Sequence, residues 1–417
     1  MENLEKILNE ANRCLNCKNP SCVKGCPMQT SIPQFILEIK QENLKKAYEI
    51  LQENNIMSDV CSNVCPFEEY CIGHCIKGNK GEPVNISKLE KYVNLWAREN
   101  KIKYEYKKEK EKGIKVAMIG SGPASLECAT ELAKKGFKVT IFEKEPEIGG
   151  LLSYGIPGFR LPRDITRKLT NRIIDLGIDI KTNIELGKDI HLDELKKEYK
   201  AVFIGIGADI PSIYSLTNKD CDHIYKSNYI LKEYNAKRTI KDLGDVIIIG
   251  GGNVATDSAR AVLRMGAKSS TIVYRRDKEK MTAREEELKA AIKDGVQVIY
   301  NTKVLEAIIE NNKIINMKCI KTETIDDKIN DIENTDHYIK ANSVVFAIGL
   351  KPNKQLIQNE GIKLNENGLI EIDENSMTSI KGIFAGGDVI QNKSTVCMAI
   401  SDGKKAAQGI EKFCLDN

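Results

Sequence analysis

Eight of the 13 cysteines in this 417-residue chain lie before residue 76, in two runs. Cys14, Cys17, Cys22 and Cys26 follow the spacing C-x2-C-x4-C-x3-C and lead into Pro27. Cys61, Cys65, Cys71 and Cys75 follow C-x3-C-x5-C-x3-C, with Pro66 after the second cysteine. Thiolates at such short spacings can surround a tetrahedral centre. In a reducing compartment, dense cysteines are metal ligands more often than disulfides. Zinc is one candidate, but it is redox-silent. A Cys-Pro after three spaced cysteines echoes the bacterial ferredoxin run, although the x4 and x3 gaps depart from it. By count, eight cysteines fill two four-cysteine iron–sulfur sites. The remaining five, Cys128, Cys221, Cys319, Cys397 and Cys414, are scattered and read as packing or surface residues.

A second kind of chemistry begins at Gly120. "IKVAMIG" reads as a buried strand, "SGPASLECATELAKKGF" as a helix and "KVTIFEK" as a second strand. Gly120, Gly122, Pro123 and Ala124 fall at the strand-to-helix turn, with Ser125 where the dinucleotide fingerprint has a third glycine or alanine. The glycines let the backbone approach a pyrophosphate, which then sits on the helix N-terminus. Glu143, followed by Lys144, stands at the end of the second strand, where an acid meets a ribose hydroxyl.

The same unit recurs at "GDVIIIGGGNVATDSARAVLRMGAKSSTIVYRR", with Gly251, Gly252, Asn253 and Val254 in the turn. Here the second strand ends in Arg275 and Arg276 instead of an acid. Guanidinium groups suit the 2′-phosphate of NADP. The pair of units therefore predicts FAD on the first and NADPH on the second. "GIFAGGDV" near the C-terminus resembles the second FAD motif of flavoproteins with two dinucleotide folds. It makes Gly387 and Asp388 flavin contacts, with Thr395 at the start of the helix-like run that follows. "VVFAIG", ending at Gly349, reads as the strand by which the chain returns to the FAD domain.

The elements that must hold these groups divide the chain into regions. Residues 1–112 are a helical domain and linker. "IPQFILEIKQENLKKAYEILQENN" has apolar positions near helical spacing, and "RENKIKYEYKKEKEKG" reads as a solvated linker or exposed helix. Residues 113–243 are the first part of the FAD domain, 244–343 the NADPH domain and 344–417 the second part of the FAD domain. No run approaches the roughly 18–20 apolar residues of a membrane span. The start "MENLEKILNEANRC" has no basic region leading into an apolar core, which predicts a cytoplasmic chain. A net charge of +4 with dispersed lysines gives no nucleic-acid footprint.

These motifs in order resemble the family of the NADPH-dependent glutamate synthase small (beta) subunit. That family takes in the N-terminal half or small subunit of dihydropyrimidine dehydrogenase and the NADH-dependent ferredoxin:NADP oxidoreductase large subunit. The resemblance rests on "RCLNCKNPSCVKGCP", "CSNVCPFEEYC", "EPVNISKLEKYV", "GSGPASLECA", "FEKEPEIGGLLSYGIPGFRLP", "GGGNVATD", "YRRDKEKM" and "FAGGDV". It implies an α/β fold: an N-terminal α-helical double iron–sulfur domain, then two Rossmann-like domains, the NADPH domain inserted in the FAD domain. It implies two [4Fe-4S] clusters with interleaved ligands. Cys14, Cys17, Cys22 and Cys75 would hold one; Cys26, Cys65, Cys71 and Glu90 would hold the other. Cys61 would be spare.

The resemblance also implies flavin contacts from Gly150, Leu151 and Arg160. The family's proline two residues before Arg284 is Thr282 here. The implied activity is NAD(P)H oxidation by an electron-input subunit, with no catalytic side chain and with a second subunit bearing the terminal reductive site. Glutamate synthase chemistry leads; the pyrimidine and ferredoxin:NADP subunits are alternatives. A disulfide reductase would need a CxxC beside the nucleotide domain, and none follows residue 75. A non-enzymatic redox sensor is the reading from another class.

Overall fold

The computed structural model describes residues 3–217, 221–392 and 395–416. They form two compact units: residues 1–153, 159–207 and 352–417 make the first, and 154–158 with 208–351 the second.

The first unit opens with short helices: Leu4–Asn12, Ser21–Lys24, Ile32–Lys40, Leu44–Asn54, Ser58–Val64 and Ile86–Glu99. The apolar run expected to be helical over 32–54 is two helices. Glu42 takes a positive φ of 58° between them. Asn43 then caps the second, its side chain accepting from Lys46 N at 3.4 Å. Their inner faces bury Phe35, Ile36, Ile39, Ala47 and Leu51 with Ile7, Leu89 and Val93.

The charged stretch 101–113 is neither helix nor free linker. It runs extended along the nucleotide fold of its own unit. Glu109 N donates to Lys134 O (2.8 Å) and Lys112 N to Gly136 O (2.9 Å). The Tyr106 hydroxyl donates to Gln52 Oε1 (3.2 Å) and Lys108 Nζ to Leu176 O (2.6 Å). Its charges face water while its backbone and tyrosines anchor it.

The sheet of this unit is wholly parallel. Its order is Ile383–Ala385, Ala201–Ile204, Lys115–Ile119, Lys138–Glu143, Asp179–Thr182. The helix Pro123–Lys134 packs against the C-terminal helix Val396–Asp416 closely enough that a Cβ on Gly403 would fall 2.1 Å from Ala124 O. Glu127 is buried in this packing, and its Oε2 has no hydrogen-bond partner among the described residues. Burial, and then Glu131, push its carboxyl up to about 8, against the pull of Lys404 and Lys134.

The folded chain thus keeps the Glu127 proton to about pH 8, while an unfolded glutamate loses it near 4.5. Stability from this group is full below the lower value and falls as pH rises towards the upper one. Glu127→Gln removes that slope. Between pH 6 and 8 the wild type should lose about 2 kcal/mol more than the variant. Thermal unfolding midpoints at the two pH values check this.

The second unit has its own five-stranded parallel sheet, ordered Ile224–Lys226, Ser343–Phe346, Asp245–Ile249, Ser269–Val273, Gln297–Ile299. A mainly antiparallel extension follows: Thr302–Glu310, Lys313–Ile325, Lys328–Asp331 and His337–Lys340. Two boundaries move. The strand in "VVFAIG" does not return the chain to the first sheet; it pairs with Asp245–Ile249 in the second. Residues 208–243, expected in the FAD part, lie in the second unit, where Ile230 and Leu231 share a core with Val262. A short all-apolar strand suits either buried sheet, so nothing in its composition assigned it.

Candidate functional site

The two cysteine runs interlock. Cys14, Cys17 and Cys22 line one cavity together with Cys75, among Pro33, Ile36, Val84 and Ile86. Cys26 is not in that wall. The four-residue helix Ser21–Lys24 and Gly25 turn the chain between Cys22 and Cys26. A Cβ on Gly25 would lie 2.4 Å from the His74 ring, so the two loops meet face to face and Cys75 reaches the first run. Burial, then Cys75, Cys14 and Cys17, push the Cys22 thiol up to about 11.

The other cysteines gather around Glu90. Cys71 is raised by burial first and then by Glu90 and Cys26. Cys26 is raised by burial, with Thr30 Oγ1 3.5 Å from its sulfur pulling the other way. Glu90 is not a surface residue: it is 9 % exposed, and Ser58 Oγ donates to its Oε1 at 2.7 Å. Burial moves its carboxyl up to about 7, opposed by that hydrogen bond. Cys61 is buried beside this group and takes a hydrogen bond from Asn55 Nδ2 at 3.3 Å. Among the described residues, no three His, Cys, Asp or Glu side chains converge tightly enough for a single ion.

Cys397 departs from its expected role as packing alone. Cys65 is raised first by a hydrogen bond with Cys397 and then by burial. Thr395 Oγ1 lies 3.5 Å from the Cys397 sulfur and 3.4 Å from the Tyr70 hydroxyl. The start of the C-terminal helix is therefore tied to the Cys65–Cys71 loop. No spacing announced Cys397 or Tyr70; they are near the cysteines only in three dimensions.

Three glycine turns meet at the N-terminus of the helix Pro123–Lys134. Gly120 has φ 84°, and a Cβ there would lie 2.6 Å from Gly205 O. A Cβ on Gly150 would lie 3.0 Å from Gly122 Cα, and one on Gly387 3.2 Å from the Ala124 Cβ. The departure at Ser125 is accommodated: it is fully buried, packed on Gly205. Glu143 is buried beneath the turn. Its Oε2 accepts from Ser121 N at 2.9 Å and from the Ser121 hydroxyl, and its Oε1 from Glu145 N at 2.8 Å. Next to these turns in sequence, Lys144 and Leu151 are exposed and Asp388 is half-buried; Arg160 and Thr395 are half-buried. The backbone is bare of side chains where a diphosphate would approach, so the residues present fit a dinucleotide.

The second unit repeats the cradle. A Cβ on Gly250 would lie 2.3 Å from Ala347 O, and one on Gly251 2.3 Å from the Tyr274 ring. Gly252 precedes the helix Asn253–Arg264 and faces only Thr282 Oγ1, at 3.4 Å from such a Cβ. The segment with threonine in place of proline closes on this turn: Ala283 N donates to Gly251 O (2.8 Å) and Arg284 N to Asn253 Oδ1 (3.0 Å). Val254 and Arg275 are exposed and Arg276 half-buried. Gly349, expected with the flavin, belongs to the second unit, where its carbonyl accepts from Ser212 N at 2.9 Å.

A helical domain with two thiol groups, followed by two glycine-turn nucleotide folds, defines an FAD- and iron–sulfur-dependent NAD(P)H oxidoreductase. The chain belongs to the pyridine nucleotide-disulphide oxidoreductase family, in the branch of the glutamate synthase small chain and the dihydropyrimidine dehydrogenase small subunit. The family's model matches residues 114–403, and that of dihydropyrimidine dehydrogenase domain II, 4Fe-4S cluster, matches residues 1–102.

The glutamate synthase [NADPH] small chain of Escherichia coli (strain K12) is 33% identical over 424 residues, covering 96% of this chain and 90% of the relative. The NAD-dependent dihydropyrimidine dehydrogenase subunit PreT of Salmonella typhimurium is 32% identical over 406 residues, covering 97% and 94%. Among solved structures, Mycobacterium tuberculosis FprA in complex with NADPH superposes with a TM-score of 0.62 at 16% identity, over 73% of this chain and 85% of that one. At that identity the likeness concerns the fold alone. No helix among the described residues is long and apolar enough to cross a membrane.

Proposed function

We propose that the chain takes electrons from NADPH and passes them singly to a second subunit. Bound FAD and two [4Fe-4S] clusters supply the conversion of a two-electron hydride into single electrons. The protein's part is binding and placement. Gly120, Gly122, Pro123 and Ala124 offer helix N–H groups to the FAD diphosphate; Glu143 and Lys144 border its ribose. Gly150, Leu151, Arg160, Gly387, Asp388 and Thr395 surround the flavin. Gly251, Gly252, Asn253 and Val254 receive the NADPH diphosphate, and Arg275 and Arg276 its 2′-phosphate. Cys14, Cys17, Cys22 and Cys75 hold one cluster; Cys26, Cys65, Cys71 and Glu90 hold the other.

One observation carries this reading: Cys75 lines the same cavity as Cys14, Cys17 and Cys22, while Cys26 does not. Two self-contained four-cysteine runs would not cross over in that way. The partner is read as a glutamate synthase large subunit, with pyrimidine chemistry as the alternative, and the compartment as the cytoplasm. Purification without oxygen, with iron, zinc and flavin assays and an NADPH titration of the visible spectrum, tests the proposal. Iron, FAD and bleaching by NADPH are expected. Zinc without iron, or no flavin, overturns it. Identification of the subunit that copurifies separates glutamate from pyrimidine chemistry.

A further inference from the structure

The two cysteine groups differ in access. Cys65 and Cys71 are each 7 % exposed, and Glu90 is nearly as buried. Cys14, Cys17, Cys22 and Cys75 are all partly exposed, whereas in the other group only Cys26 is. The cavity they line is also lined by Leu15 and Ile76, which are 60% and 43% exposed. Two large apolar side chains thus stand in water next to Cys14 and Cys75.

The two segments that carry them are basic. Between Cys14 and Cys26, and between Cys75 and Gly81, the chain carries Lys18, Lys24, Lys77 and Lys80 and no acid. Lys18, Lys24 and Lys80 are exposed, and Lys77 lines the cavity itself. None of the four makes an ion pair with a described residue. Elsewhere in this unit lysines are paired, as in Lys112–Glu109 and Lys134–Glu131. The nearest acids along the chain are committed or lie at the margin. Glu10 holds Arg13 (2.7 Å) and Asn85 N (2.7 Å); Glu82, two residues after Lys80, is exposed and is the one acid beside these lysines on that side. Glu68 and Glu69 lie on the turn before Cys71.

We propose that this surface is the docking face for an electron-accepting protein whose contact surface is acidic. The inference rests on the reading of Cys14, Cys17, Cys22 and Cys75 as a cluster site. Exposed apolar side chains on segments that carry unpaired like charges fit a brief, electrostatically steered encounter. Charge complementarity then selects an acidic partner and repels a basic one. The balance is simple: each NADPH yields NADP+, one proton and two electrons, and two one-electron acceptors take one electron each.

The test uses the holoprotein and two probes of opposite charge: an acidic plant-type ferredoxin and a basic c-type cytochrome. Binding is measured at low and high salt, for the wild type and for Lys18→Glu/Lys24→Glu/Lys80→Glu. The wild type should bind the ferredoxin, with affinity falling as salt rises. The variant should bind it about tenfold more weakly or worse, with iron content, cluster resonance signals and NADPH reduction of a neutral quinone retained. Leu15→Ser should weaken ferredoxin binding without changing its salt dependence. Equal ferredoxin binding by wild type and variant, no binding by the wild type, or a wild-type preference for the cytochrome overturns the inference. A wild-type holoprotein without cluster signals overturns the underlying reading instead.

Discussion

Replacing Cys22 by serine should remove one of two iron–sulfur signals, and replacing Cys26 by serine should remove the other. The two residues are four apart, Cys22 in a one-turn helix and Cys26 just past it, yet they face different groups. Cys22 lines the cavity with Cys14, Cys17 and Cys75. Cys26 and Cys71 both lie close enough to Glu90 for its charge to raise their thiols, after burial. Each variant should fall from about eight to about four irons per chain. The remaining resonance signal should differ between the two. Cys75→Ser should match Cys22→Ser although 53 residues separate the positions in sequence, and Cys71→Ser should match Cys26→Ser. If Cys22→Ser and Cys26→Ser lose the same signal, each cysteine run is a self-contained site and the crossover is wrong. If either variant lost both clusters through unfolding, its FAD would be lost too. Retained flavin absorbance therefore separates ligand loss from collapse.

The sequence made the glycine turns legible because close backbone approach leaves few alternatives to glycine. Gly120, Gly250 and Gly387 all adopt positive φ, as those turns require. The cysteine spacing likewise reveals that metal chemistry is present. It does not reveal how the runs pair, because pairing depends on how two loops stack. That stacking is visible only where His74 meets Gly25. Ser343–Phe346 illustrates a different limit. Four consecutive buried residues carry no face preference, and membership in one parallel sheet or the other is decided by the neighbouring strand. Residues 101–113 failed for a third reason: their charges are solvated as expected, but their backbone hydrogen bonds leave no trace in side-chain pattern. Cys397 had no motif at all. Its proximity to Cys65 follows from the path of the C-terminal helix, which is a tertiary fact.

Replacing Arg275 or Arg276 by alanine should raise the KM for NADPH about tenfold to a hundredfold while changing the KM for NADH about twofold at most. Both side chains follow the strand Ser269–Val273, and both are held at the backbone by the sheet extension. Thr322 Oγ1 donates to Arg275 O (2.9 Å) and Asn301 N to Arg276 O (3.0 Å). Tyr274 is fixed below them, its ring beneath Gly251 and its hydroxyl on Lys280 O (2.7 Å). The nearby Asp327 is taken by Lys280 at 2.9 Å, and neither arginine forms an ion pair with a described carboxylate. Two guanidinium groups on a fixed backbone are therefore available to an anion beside the nucleotide turn. A charge-assisted hydrogen bond contributes about 1.5–3 kcal/mol, which sets the expected range. NADH lacks the 2′-phosphate and should hardly register either change. The measurement is kcat/KM for both nucleotides in each single variant and in the double. An equal loss for NADPH and NADH would mean that the arginines shape the fold instead of reading the phosphate. No loss for NADPH would leave the 2′-phosphate without a partner here and turn the reading towards NADH.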